Sequence, residues 1–222
     1  MTTILVDLDG TITDPARGII GAYRYALDRL GCAVPETAAL TWVIGPPLRV
    51  ALPKLIGPSG DVEAAVRLYR EHYTSGGLEN ADVYDGMREA LAELRRVGSQ
   101  LLVCTAKPQP FAQQVLRHFG LADLFDGIYG PGLDGRMDDK AELMAHMIAS
   151  EGITPTRAVM IGDRDNDVRA ARANGVTSIG VLWGYGSRDE LTAAGATVLC
   201  ERPHDLPATV HRVSSRSSRR VQ

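Results

Sequence analysis

Cysteine is scarce in this chain. Cys32, Cys104 and Cys200 stand far apart, with no C-x-x-C pair and no Cys/His cluster. Neither a disulfide framework nor a zinc site is suggested, and a reducing, cytoplasmic location is expected. Long hydrophobic runs are missing as well. No apolar stretch approaches the ~20 residues that a membrane helix requires. The first residues show no basic segment followed by a long apolar run, so no secretory signal is expected. There is no basic excess either. The formal net charge is -3, whereas nucleic acid and anionic membranes reward a basic surface, so neither is expected as a partner. The one basic stretch, "SSRSSRRVQ" at 214–222, lacks aromatics and reads as a disordered, solvated tail. Internal repeats and low-complexity linkers are absent.

The composition that is present suits a soluble globular protein, with 45% hydrophobic and 23% charged residues. The 222 residues suffice for one sizeable domain or for one that carries a smaller insert. Nearly continuous apolar runs recur at 3–8, 100–105, 158–162 and 178–183, with a weaker one at 196–200. Runs without alternation suit strands buried on both faces, as in a parallel sheet. Helical stripes lie between them: Met87, Leu91 and Leu94; Phe111, Val115 and Phe119; Leu143, Met144 and Met147. The alternation predicts a doubly wound α/β fold.

Residues 14–82 break this rhythm and read as helical. Asp14 is a candidate N-cap with Pro15 at the first helical position. Ile19, Tyr23, Leu27 and Leu30 then form a stripe that stops at Gly31. A second helix is expected over 61–75, with Val62, Tyr69 and Tyr73 on one face. Gly45, Pro46 and Pro47 must break any helix between the two. The expected organisation is a core of residues 1–13 and 83–213 and an inserted helical domain of 14–82. Hinges would lie near Asp14 and near 80–85.

The stretch "ILVDLDGTIT" at 4–13 runs apolar residues into two aspartates, which cost stability unless something uses them. Asp-Gly between apolar residues is also a strong hairpin signal. The remainder of the chain decides between these readings. Ligands of open α/β sheets bind beyond the carboxyl ends of the strands. Asp7, Asp9, Thr105 and Asp163 all follow such ends, and Lys140 opens a helix. Thr105 alone could be an ordinary strand terminus before a turn, and Lys140 alone a surface lysine. A cation at a helix N-terminus is nevertheless out of place unless an anion is near. "GDRDND" could serve as a helix cap. As a calcium loop it fails, because Val168 stands where glycine is needed and Asn174 where glutamate is needed.

Taken in order, D-x-D-G-T, a strand-ending Thr, a helix-opening Lys and G-D-x-x-x-D resemble the four signature motifs of the haloacid dehalogenase-like (HAD) superfamily, over nearly the whole chain. The resemblance implies a doubly wound, Rossmann-like parallel sheet with an inserted α-helical cap domain. It implies a Mg²⁺-dependent phosphomonoesterase acting on a small phosphorylated metabolite, as a monomer or homodimer. Asp7 would be the nucleophile, Asp9 the general acid and base, and Thr105 and Lys140 would complete the catalytic set. Phosphate would meet the N–H groups of Leu8, Asp9 and Ala106 together with Thr105 and Lys140. Mg²⁺ would be held by Asp7, the carbonyl of Asp9 and Asp163, with Asp167 acting through water or Lys140.

In helical-cap members the cap selects the substrate, which points to Gly45, Pro46, Pro47 and Arg49. Arg49 would either meet a second anionic or polar group or be a solvated helix residue. "IGPPL", "NADVYDGM", "FDGIYG", "DDKAEL", "MIGDRDND" and "GVLWGYGS" resemble the phosphoglycolate phosphatase-like branch, and more closely its 5'-nucleotidase-like members. "CTAKP" departs from that pattern by having Ala106 where relatives carry Asn or Ser. Dehalogenases lack a carboxylate at the position of Asp9, and phosphonate-cleaving members need a cap lysine, whereas no lysine lies between Asp14 and the "IGPPL" loop here. A phosphosugar mutase and a non-catalytic binding protein on this scaffold are the alternatives. Trp183 and Tyr185 either line the site or serve packing, and His204 reads as a cap or surface residue at the start of a closing helix.

Overall fold

The computed structural model describes residues 2–219. Along the chain, β1 (Thr3–Val6) and β2 (Thr13–Asp14) precede α1 (Ala16–Arg29), α2 (Leu48–Ile56) and α3 (Val62–His72). Next come β3 (Asp82–Val83), α4 (Met87–Arg96), β4 (Gln100–Cys104), α5 (Gln109–His118), β5 (Gly127–Tyr129) and α6 (Lys140–Glu151). The chain continues through β6 (Ala158–Gly162), α7 (Asp165–Ala173), β7 (Thr177–Val181), α8 (Arg188–Ala194), β8 (Val198–Cys200) and α9 (Leu206–Arg219). The chain forms two compact units, Asp14–Asp82 and the segments on either side of it.

The flanking segments make a six-stranded sheet of order β5-β4-β1-β6-β7-β8, with every recorded pairing parallel. β1 lies between β4 and β6, with Val6 level with both Val103 and Ile161. Ile4, Leu5, Val6, Leu101, Leu102, Val103, Met160 and Ile161 are all buried, as unalternating runs covered by helices on both faces require. Leu143, Met144 and Met147 of α6 close one face over Leu5, Leu102 and Met160. Each such side chain contributes roughly 1.5–3 kcal/mol by leaving water. The hairpin reading of 4–13 does not hold. β1 is a central parallel strand, and β2 pairs with β3 instead.

β5 went unread in the sequence. It has three residues, begins with glycine, and is set by its pairing with β4. α8 was also unread. The basic end of the chain differs from expectation over 214–219. α9 carries its helix to Arg219, anchored by buried Leu206, Val210 and Val213 upstream. The rest of that tail, residues 220–222, lies outside the described residues. Among the described residues no helix is long and apolar enough to cross a membrane.

In the Asp14–Asp82 unit, α1 packs on α3. Gly18 permits a close approach of α1 to the segment after α3, since a Cβ there would meet the Gly77 carbonyl oxygen at 1.9 Å. The Tyr23 and Tyr69 rings meet edge-on at 5.0 Å. Asp14 accepts from the Ala16 N–H at 3.0 Å. It therefore caps α1 through its side chain, one residue earlier than a formal N-cap. α2 is a third helix that Gly45-Pro46-Pro47 concealed in the sequence. The break falls before it, with Pro47 as its N-terminal cap residue.

Candidate active site

The parallel register brings the carboxyl ends of β1, β4 and β6 to one edge of the sheet, and the chemistry collects there. Asp7 and Asp9 follow β1, Thr105 follows β4 and Asp163 follows β6. Lys140 and Asp167 come from the first turns of α6 and α7. All six buried charged residues among the described ones are Asp7, Asp9, Asp163, Asp167, Lys107 and Lys140.

These charges form connected pairs. Lys140 Nζ lies 3.0 Å from Asp7 Oδ2 and 2.5 Å from Asp167 Oδ1. Asp167 Oδ2 accepts from the Arg164 N–H at 3.0 Å, so both of its oxygens are engaged by protein groups. The Leu8 N–H, expected to face a phosphate, donates to Asp7 Oδ1 at 2.8 Å. Lys107 Nζ stands 2.9 Å from Asp9 Oδ1. Thr105 is buried; its N–H donates to the Tyr129 carbonyl at 3.1 Å, and its hydroxyl accepts from the Lys107 N–H at 3.2 Å.

The Asp163 oxygens accept from the Thr11 hydroxyl at 3.3 Å and the Tyr185 N–H at 2.8 Å. Glycines make room for this carboxylate. At Gly10, whose φ is +84°, a Cβ would lie 2.3 Å from Asp163 Oδ2, and at Gly184 2.5 Å from it. The loop after β7 thus clamps Asp163, while the Trp183 indole N–H donates to the Thr11 carbonyl at 2.9 Å. Trp183 and Tyr185 therefore act on the site through the main chain of 11 and the carboxylate of 163.

Burial drives the electrostatics. It pushes the Asp9 carboxyl above its usual range, opposed chiefly by the Lys107 charge. It pushes Asp163 up strongly, helped by the neighbouring Asp167 and Asp7. Burial would lower Lys140, but Asp167 and Asp7 overcome it and hold the amine charged. The Asp7, Asp163 and Asp167 carboxylates can place one oxygen each within 4.8 Å of one another. Were all four buried carboxyls ionised, they would outnumber the two buried lysines by two charges. A hard, all-oxygen donor set with that excess fits a divalent cation.

The sequence reading missed Lys107. It sits in "CTAKP", where it was taken as part of a turn. The available signal was a lysine two residues past a strand end that already carried Thr105. Of the cap residues, Gly45 has φ +105°. Arg49 makes a two-pronged ion pair with Glu63 at 2.9 and 3.0 Å, which links α2 to α3.

The charged cluster thus stands at the carboxyl edge of a parallel α/β sheet, where such folds bind ligands, and the comparisons specify the class. The chain matches the haloacid dehalogenase-like hydrolase family over residues 4–181 and belongs to that family. It is 43% identical over 198 residues to a protein of Pseudomonas aeruginosa named 5'-nucleotidase, covering 89% of this chain and 90% of that one. It is 39% identical over 196 residues to a Mycobacterium tuberculosis protein named tyrosine-protein kinase PtkA, covering 88% of this chain and 67% of that one. The crystal structure of a predicted phosphatase from Clostridium acetobutylicum superposes with a TM-score of 0.91 at 36% identity, covering 95% of this chain and 98% of that one.

Proposed function

We propose that this hydrolase is a Mg²⁺-dependent phosphomonoesterase for a small phosphorylated metabolite, with nucleoside 5'-monophosphates the first substrates to test and phosphoglycolate the second. The observation that carries the reading is the confinement of every buried charge among the described residues to one cluster, in which Lys107 pairs with Asp9 and Lys140 bridges Asp7 and Asp167. Phosphate-monoester hydrolysis is among the slowest uncatalysed reactions. It requires a nucleophile, a proton for the leaving oxygen and charge neutralisation around the phosphoryl group.

An Asp7 oxygen forms a bond to phosphorus as the bond to the substrate oxygen breaks. The departing electron pair stays on that oxygen, which takes a proton from the Asp9 carboxyl. An alcohol and an aspartyl-phosphate result. Asp9, now a carboxylate, takes a proton from water as the water oxygen bonds to phosphorus, and Asp7 is released with inorganic phosphate. The burial that raises the Asp9 carboxyl acts in the direction a proton donor needs. Lys140 holds Asp7 in place and faces the incoming negative charge, and the Thr105 hydroxyl is available as a phosphate donor. Asp7, Asp163 and the Asp9 carbonyl would hold Mg²⁺, with Asp167 behind Lys140. When bound, the ion offsets repulsion between the nucleophile and the phosphoryl oxygens.

The relative named 5'-nucleotidase, matched along nearly its whole length, supports the choice of first substrate. The test is phosphate release from nucleoside 5'-monophosphates, phosphoglycolate and phosphosugars, with and without Mg²⁺, beside Asp7→Asn. Turnover that requires both Mg²⁺ and Asp7 is expected. Release into solution, rather than onto a tyrosine, separates this activity from the one in the name of the Mycobacterium tuberculosis relative. Isomerisation of a phosphosugar without net release would instead favour a mutase.

A further inference from the structure

We propose that Lys107 is a positioning residue for Asp9. It holds one oxygen of that carboxylate and leaves the other to hand its proton to the leaving group. The proposal rests on the phosphomonoesterase reading above.

The geometry divides the two lysines between the two aspartates. Lys140 Nζ contacts Asp7 and Asp167, whereas Lys107 Nζ contacts Asp9 Oδ1 at 2.9 Å. The Lys107 side chain is only 3% exposed, so solvent ions screen the pair little. Its backbone is fixed from two sides. The Lys107 N–H donates to the Thr105 hydroxyl at 3.2 Å. The end of β5 packs against its carbonyl, where a Cβ at Gly130 would come within 2.3 Å. Asp9 itself lies past the end of β1, where the Gly10 N–H donates to the Thr13 carbonyl at 2.8 Å; that bond fixes the main chain and leaves the carboxylate to be oriented by a side-chain contact. The contact that orients the Asp9 carboxylate therefore comes from β4's loop, across the sheet edge. In the first chemical step the proton leaves the second Asp9 oxygen for the substrate oxygen, while the first stays against the ammonium group.

The test compares two substrates that differ in their need for a proton. p-Nitrophenyl phosphate expels a leaving group that departs unprotonated; an alkyl phosphate does not. The readout is kcat/KM, which contains only steps through leaving-group departure, measured for wild type, Lys107→Met, Asp9→Asn and the double variant. Lys107→Met is expected to lower kcat/KM for the alkyl phosphate about 100-fold, the low end of a general-acid contribution. The ratio of alkyl to p-nitrophenyl kcat/KM should fall at least about tenfold. The double variant should lose no more than Asp9→Asn alone, because the two residues act as one unit. Both substrates are measured on the same sample, so the folded fraction cancels from the ratio. Equal losses on both substrates, or additive losses in the double variant, would overturn the proposal. If wild type hydrolyses neither substrate with Mg²⁺ present, the phosphomonoesterase reading falls and the proposal with it.

Discussion

Removing one charge from the carboxylate cluster should stabilise the metal-free protein, and Asp163→Asn is the cleanest way to do it. Asp163 is fully buried, and oxygens of Asp7 and Asp167 lie within 4.8 Å of its own. At that separation and an effective dielectric near 20, each like-charge pair repels by about 3.5 kcal/mol. Two effects reduce what the substitution recovers. The charge-assisted bonds from the Tyr185 N–H and the Thr11 hydroxyl weaken to neutral ones, at about 1 kcal/mol each. The wild type also relieves its repulsion by taking up a proton, as its strongly raised pKa indicates. A net gain of about 1–2 kcal/mol remains, or roughly 3–6 °C in Tm for a chain of this size. The assay is thermal unfolding at pH 7.5 in EDTA and then in excess Mg²⁺. In EDTA the variant should melt above wild type. In Mg²⁺ the order should reverse, since ligand at 100 times its Kd stabilises wild type by about 2.7 kcal/mol and the variant has lost a ligand. A variant that melts below wild type in EDTA, or a wild type indifferent to Mg²⁺, would refute the reasoning.

Three further outcomes are expected. Gly184→Ala places a Cβ 2.4 Å from the Asp163 Cβ and should weaken Mg²⁺ affinity about 10–100-fold, the usual cost of disturbing a ligand's support, read from the Mg²⁺-dependent shift in Tm. Cys104, whose thiol burial pushes up to about 12, should resist iodoacetamide at pH 8.5 in the folded protein and react once urea unfolds it. Asp126 is held below its usual pKa, chiefly by the Arg95 guanidinium 2.5 Å away. The folded pKa is the lower one, so the contribution to stability is present above the unfolded value and disappears as pH falls through the folded one. The Tm difference between wild type and Asp126→Asn should therefore be measurable at pH 7, small because the pair is part-exposed, and shrink as pH falls below the usual carboxylate range.

The longest apolar runs were legible as strands because burial on both faces writes itself into sequence as unbroken hydrophobicity. Helices α4, α5 and α6 form where the stripes beginning at Met87, Phe111 and Leu143 lie. β5 carries no such signature, since three residues starting with glycine become a strand only when β4 offers them a partner. The basic end gave the opposite lesson. Ser and Arg suggested a solvated coil, but the apolar anchors of α9 lie just upstream at Leu206, Val210 and Val213 and carry the helix onward.

Asp7, Asp9, Thr105, Lys140, Asp163 and Asp167 could be named from one dimension because each stands at a strand end or helix start, and the order of those ends is fixed along the chain. What each one touches could not be read that way. The allotment of Lys140 to Asp7 and Asp167, of Lys107 to Asp9, and of the 184–186 loop to Asp163 depends on β4, β1, β6 and β7 lying side by side in a parallel register. Residues up to 172 positions apart meet only once that sheet has formed. The sequence marked every one of the buried charges except Lys107. Only the tertiary structure decided their partners, because ion pairing acts over a few ångströms and only the packed sheet brings these groups that close.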